Sequence, residues 1–435
     1  MTAETDRASV AGALGLLSGL AAATVGTVPI AGGVRLWHVL ALVAAMIAVL
    51  SDNGRSVGGL RLRSVDVLAV SFIAVTVVTE LANGADLNFK ADVVGTLTPI
   101  FYFILFWSAR AVVRTIAGLE KFIYYFVLPS APVALIGMGQ MLAPAAFSWV
   151  TSLAPSSALE GRLDAGGAIR ATGLVGDWTG NGFYFCVVLA ALASLVLIRR
   201  ESGRRVGSLA GLFLFAGGGV IASVTLGALI TAVVIVLALL LASRVSPRLV
   251  LVFGLAAALL ATVFGDLIWG RIADQATAGV RVEGMPTWLP NTVAFRWAIW
   301  TRETIPAIGQ RFWTGWGTDA FGGMETGRTY PQGLIWKSPE SQWFAEALYF
   351  GVPTAILLAV LFVFAIRSAL RAAASLGRVA WPVAALICVT VVMSLISPVL
   401  TNRGFPVALW PLLGAVLSVL ESRLRTAELD LASRE

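Results

Sequence analysis

Charge, histidine and cysteine are all scarce in this 435-residue chain. Charged side chains make up 13% of it and hydrophobic ones 58%. A water-soluble protein of this length needs far more polar surface, so most of the outside must face lipid. The two cysteines, Cys186 and Cys388, fall inside apolar runs. They support neither a disulfide framework nor a metal cluster, and they read as buried filler. The single histidine, His38, cannot make a metal site alone; beside Trp37 at the opening of an apolar run, it reads as interfacial packing. Lysine is nearly missing too. Of the 31 basic residues 28 are arginines, most of them at the ends of apolar runs. Membrane topology therefore accounts for the net charge of +7, and no nucleic-acid partner is expected.

What the chain has in abundance is apolar sequence. The runs cover 10–28, 35–50, 67–82, 93–109, 122–142, 183–198, 206–223, 225–242, 249–268, 344–366, 380–397 and 405–420. A run of about 18 residues crosses the roughly 30 Å hydrocarbon layer as a helix. These runs are continuously apolar and do not alternate, which favours helices over a barrel. The expected fold is an all-α integral membrane protein with about twelve transmembrane helices. Helices one to nine occupy 1–268, with an external loop at 143–182. A large external loop spans 269–343, and helices ten to twelve with a tail occupy 344–435. The opening MTAETDRAS has one basic residue and no small-residue cleavage site, so it reads as a retained first helix.

Orientation follows from the short loops. Those on the external side hold only Arg35, Lys90, Arg162, Arg170 and Arg403, while most of the basic residues fall on the other side. This asymmetry places both termini in the cytoplasm, with a bacterial-type inner membrane as the expected location. The loop 269–343 is too aromatic for a solvated tail: Trp288, Trp297, Trp300, Trp313, Trp316 and Trp336 all lie in it. Within it, NTVAFRWAIWTRETIPAIGQRF puts Phe295, Ile299 and Arg302 on one helical face and Arg296, Trp300 and Glu303 on another. The pattern predicts a short amphipathic helix at the membrane surface.

Three constellations carry chemistry. External arginines come first: Arg271, Arg281, Arg296, Arg302, Arg311 and Arg328, with Arg162 and Arg170 from the earlier loop. Arginine offers a planar fork of donors that suits phosphate or diphosphate, although salt bridges and interfacial anchoring use the same fork. Second is FWTGWGTDAFGG at 312–323, whose glycines permit tight turns and close ligand approach. Third is KSPESQWFAEALYFGVP at 337–353. There Pro339 suits a helix start, with Ser338 as a cap and Glu340 in the first turn. Glu340 then either favours the helix dipole or serves as a general base near the arginines.

Arg296–Trp297, then Phe312–Trp313 with Gly315 and Gly317, then Pro339–Glu340–Ser341 with Trp343 and Gly351, run in a definite order. That order resembles the signature region of the O-antigen ligase/polymerase family of bacterial polytopic membrane proteins. RATGLVGDWTGNGFYF likewise resembles that family's external arginine-to-glycine turn, and it puts Arg170 in the matching position. Two departures stand out. Glu340 occupies a place where the ligases usually show histidine, and SVTLGAL (223–229) lacks the arginine expected between helices seven and eight. Both lean toward a polysaccharide polymerase.

The resemblance implies a metal-independent glycosyltransferase with no cofactor, taking glycan from a polyprenyl-diphosphate donor on the external face. Glu340 becomes the candidate base, and Arg170, Arg296 and Arg302 the candidate diphosphate ligands, with Arg311 beside them. Trp297, Trp300 and Trp343 are candidate sugar or lipid contacts, and Gly315, Gly317 and Ser341 complete the substrate-binding set. The expected partners are the lipid-linked glycan, the bilayer and other polysaccharide-assembly proteins. A transporter or flippase of lipid-linked oligosaccharide is the rival class, since a twelve-helix layout also suits secondary transport.

Overall fold

The computed structural model describes residues 2–27, 29–31, 34–51, 64–83, 92–156, 159–160, 169–243, 291–318, 338–401 and 404–433, with isolated positions elsewhere between 163 and 336. Half of the apolar run 249–268 therefore lies outside the described residues, as do Arg162, Arg271, Arg281, Arg328 and Trp288.

Helix α1 (Thr2–Ala23) leads through a short antiparallel ribbon, β1 (Pro29–Ala31) and β2 (Val34–Arg35), into α2 (Leu36–Ser51). Then follow α3 (Ser64–Ala82), α4 (Asp92–Val112), α5 (Ile116–Val127) and α6 (Ser130–Leu142). After the short α7 (Trp149–Leu153) come α8 (Trp178–Glu201), α9 (Ala210–Ala222) and α10 (Leu226–Ala242). The chain continues through α11 (Asn291–Ile299), α12 (Ile305–Gln310), α13 (Gln342–Phe350), α14 (Val352–Ser375), α15 (Trp381–Met393) and α16 (Phe405–Ala432). Among the described residues the regular structure is thus helical apart from the two-stranded ribbon, as a membrane protein of the α class requires.

Among the described residues five helical segments are long and apolar enough to cross a membrane: Ser64–Ala82, Ile116–Leu142, Trp178–Glu201, Val352–Ser375 and Phe405–Thr426. Six shorter apolar helices accompany them among the described residues. Helix α8 is the axis of the bundle. It packs against α5, α9, α10, α15 and α16, and every residue from Gly180 to Ile198 is buried. Asp177 caps its start by accepting from the Gly180 amide, while Arg199 and Arg200 complement the dipole at its end.

Small residues set how closely helices approach. A Cβ on Gly15 would lie 2.1 Å from the Phe122 carbonyl oxygen, and one on Gly19 would lie 2.2 Å from that of Phe126. Helices α1 and α5 can therefore pack backbone to backbone, as small-residue stripes allow within a bilayer. His38 is buried between the rings of Trp37 and Phe101, and its Nδ1 accepts from the Arg35 amide at 2.9 Å. It is packing, as its position suggests.

One boundary moves. The run 344–366 reads as a single span in sequence, but the chain breaks it at Gly351, whose φ is +88°. Helix α13 ends there and α14 begins with Pro353 in its first turn. The physical reason is contact: a Cβ at residue 351 would meet the Trp313 carbonyl oxygen at 2.4 Å.

At one end of the bundle Arg110 joins α3, α4 and α16. Its guanidinium bonds Asp66 and also reaches Glu421, at 2.9 Å from Nη2 to Oε1 and 3.3 Å from Nε to Oε2. Trp107 also donates to Asp66, at 3.0 Å.

Candidate functional site

At the opposite end of α3 from Asp66, the segment 311–318 meets the end of α13, and the segment before α13 meets the helix that begins at Asn291. The spacing of Arg296, Trp300 and Glu303 puts them on one side of their helix, and all three reach the segment 335–340. Trp300 Nε1 donates to the Pro339 carbonyl at 2.7 Å. Glu303 Oε2 accepts from the Ile335 and Trp336 amides at 2.9 and 3.0 Å. Arg296 Nη2 lies 3.3 Å from Glu340 Oε2. The Trp300 ring also packs on Phe344, and Phe295 meets Trp336 edge-on.

The helix carrying these residues is not regular. Between α11 and α12 the chain widens into a π-turn over Trp300–Thr304, where the Ile305 amide bonds back to the Trp300 carbonyl. Pro306 explains the widening, because an α-turn there would push its ring against the carbonyl four residues earlier. Such wide turns are frequent at functional sites.

Glu340 stands just outside α13, not in its first turn. Ser341 is the cap residue, Gln342 opens the helix, and the Ser338 hydroxyl accepts from the Glu340 amide at 3.2 Å. Glu340 therefore precedes the helix by two positions instead of lying within its first turn. Moreover, Glu340 has φ +52°, in the left-handed region. An L-residue there costs roughly 1–2 kcal/mol, and this kind of strain clusters at functional sites. Its carboxylate receives Trp336 Nε1 at 3.4 Å as well as Arg296, and it remains about one-quarter exposed. On Arg296 the Nε–H is enclosed, with no partner among the described residues.

What fixes this pair is the anchoring of α13. Ser341 and Gln342 both donate to the Ser394 carbonyl, and Gln342 Oε1 accepts from the Leu400 amide at 2.8 Å. The side-chain nitrogen of Gln342, Nε2, donates to Glu346 at 2.8 Å, and Glu346 is buried. Trp343 packs edge-on against Phe362 of α14. Sequence reasoning missed Gln342, Glu346 and Trp336, although Trp336 stands one helical turn before Glu340 in the chain.

The glycine turn is a clamp. Gly315 and Gly317 have φ of +62° and +86°. Their conformation lets the Trp316 and Gly317 amides donate to the Leu348 and Tyr349 carbonyls at 2.9 and 2.8 Å, capping the end of α13. Glu80 of α3, buried, accepts from the Thr318 amide and hydroxyl at 3.0 and 2.9 Å. Arg311 lies over the Trp316 ring and donates to Asn83 at 2.9 Å. The close approach that Gly315 permits is made by protein: a Cβ there would sit 2.4 Å from the Tyr349 oxygen. Gly315→Ala should therefore lower the melting temperature in detergent by at least the roughly 1–2 kcal/mol equivalent of the left-handed backbone. Gly309, in α12 with open space around it, should tolerate alanine or gain from it. Equal behaviour of the two variants would discard the clamp.

Arg170 takes another position. It is buried, lies over the Trp178 ring, and donates to the Ser223 and Val224 carbonyls and the Thr225 hydroxyl at 3.2, 3.0 and 2.9 Å. Val224 has φ +48°, so the turn without an arginine of its own receives Arg170 across the bundle. No described contact joins Arg170 to Glu340. Arg302 and Trp297 are both exposed on the 291–310 segment. Among the described residues no group of three or more histidine, cysteine, aspartate or glutamate side chains converges on a metal position. No family model matches the chain, and no curated protein is similar to it.

Proposed function

We propose that the chain is a glycosyltransferase of the O-antigen ligase/polymerase kind, with about twelve spans in a bacterial inner membrane and cytoplasmic termini. It extends or transfers glycan from a polyprenyl-diphosphate donor on the external face. The observation that carries this reading is the Arg296–Glu340 pair, in which a strained carboxylate meets a guanidinium with an enclosed, unused donor.

The chemistry follows. An acceptor sugar hydroxyl attacks the anomeric carbon of the donor, the bond from that carbon to the diphosphate oxygen breaks, and the hydroxyl proton passes to Glu340. The polyprenyl diphosphate leaves with its charge balanced by Arg296. A buried N–H without an acceptor costs about 1–3 kcal/mol, which an arriving oxyanion would recover. Exposed Trp297 and Trp313 offer apolar faces to sugar or isoprene. Arg302, exposed on the same segment, is the candidate for a second diphosphate donor.

Purified protein in liposomes, supplied with a polyprenyl-diphosphate oligosaccharide, tests the reading. The expected products are a longer or transferred glycan and free polyprenyl diphosphate. Arg296→Lys should lower the rate by about 10², the typical loss for one preorganised donor to a developing oxyanion. Movement of intact lipid-linked glycan across the bilayer, with no bond cleaved, would defeat the enzyme and favour the flippase.

A further inference from the structure

The end of the bundle remote from Glu340 holds a cavity of about 290 Å³ between α3, α4, α14 and α16. Its back wall is the Arg110–Glu421 contact, and its mouth carries Ser64, Arg367, Ser368 and Arg371. Both oxygens of Glu421 are turned onto Arg110, so neither faces the mouth unengaged. Arg367 and Arg371 stand one turn apart on α14, and both are exposed. Neither has a carboxylate partner among the described residues. The remaining walls are apolar, Phe364 and Leu424 among them.

Depth in the membrane fixes the kind of ligand. Arg367 lies 15 residues after the start of α14, about 22 Å along it at 1.5 Å per residue. That is close to the far edge of a hydrocarbon layer of about 30 Å. Two uncompensated guanidinium forks at that level, with hydroxyls beside them and apolar walls behind, match a phosphate on a hydrocarbon stem. A free inorganic anion would have no use for the apolar walls. We propose that this cavity binds the headgroup of an anionic phospholipid, with Arg367 and Arg371 on the phosphate and Ser64 and Ser368 on its ester or glycerol oxygens. Basic pockets between membrane helices are suited to such lipids, each arginine near the surface contributing a similar increment.

Native mass spectrometry of the purified full-length protein tests this, with phosphatidylglycerol and phosphatidylcholine of the same acyl chains as probes. One phosphatidylglycerol should be retained in preference to phosphatidylcholine. The double variant Arg367→Gln/Arg371→Gln should weaken that retention by about thirtyfold, equivalent to roughly 2 kcal/mol. Both side chains are exposed, so the variant should melt with the wild type. Arg423→Gln, exposed near the same end on α16 and outside the cavity lining, should leave retention unchanged. Equal retention of the two lipids, an undiminished double variant, or an equal loss from Arg423→Gln would overturn the proposal. Inorganic phosphate displacing phosphatidylglycerol at equal concentration would also overturn it, by showing that the free ion suffices. If the double variant fails to fold, the comparison of the two lipids on wild-type protein still decides.

Discussion

Glu340→Gln should lower turnover by about 10² to 10⁴ while leaving the melting temperature nearly unchanged. Glutamine keeps the shape of the side chain and can still meet Arg296 and Trp336, but it cannot take a proton from a sugar hydroxyl. A purely structural role predicts the reverse. The φ of +52° means that this position is not optimised for stability, since glycine would hold the same backbone without strain. Glu340→Gly should accordingly melt higher than Glu340→Gln and be equally inactive. Activity and stability would then diverge at one position, as they do where a site is held in a strained form. Glu201→Gln, exposed at the far end of α8, supplies the control. Turnover of Glu340→Gln within about threefold of wild type falls well short of general-base loss and would remove Glu340 from the reaction.

The second large effect lies in the Arg110 cluster. Arg110→Gln leaves Asp66 and Glu421 facing each other without a cation, with side-chain exposures of 4% and 12%. Removing one partner of a buried ion pair costs about 3–5 kcal/mol, so the variant should lose much of its folded yield in detergent. Replacing all three groups is a different experiment. Asp66→Asn/Arg110→Gln/Glu421→Gln removes the charges together, and such replacements are often near neutral. The triple variant should therefore recover most of the stability that the single variant loses. A single variant that unfolds within about 1 kcal/mol of wild type, inside the range of an exposed pair, would show that the cluster is wet and weak.

Composition and run length make the helical membrane character legible, because a bilayer imposes both on the chain. Periodicity also makes the site helix legible: Arg296, Trp300 and Glu303 recur at helical spacing, and all three meet 335–340. The break at Gly351 is hidden, since a glycine within an apolar run looks like any small lipid-facing residue until the Trp313 carbonyl arrives against it. The start of α13 is hidden for a related reason. Ser338 and Ser341 are both good caps, and the choice between them is made by the Ser394 carbonyl more than fifty residues away. Arg170 is the clearest case. Its residue type and its place in a loop suggest an anion ligand, while it donates to two carbonyls and a hydroxyl of a turn that no local pattern connects to it.

Helix α8, enclosed along its length, has a consequence for how the sequence can drift. On α14, Val363 is 61% exposed, so leucine, isoleucine or phenylalanine there need only be apolar. On α8, Val187 and Val188 are fully buried, and an added methylene must displace a neighbour at a typical cost of about 1–3 kcal/mol. Two helices of nearly equal hydropathy thus answer to different rules: volume governs α8, and solubility in lipid alone governs the outer face of α14.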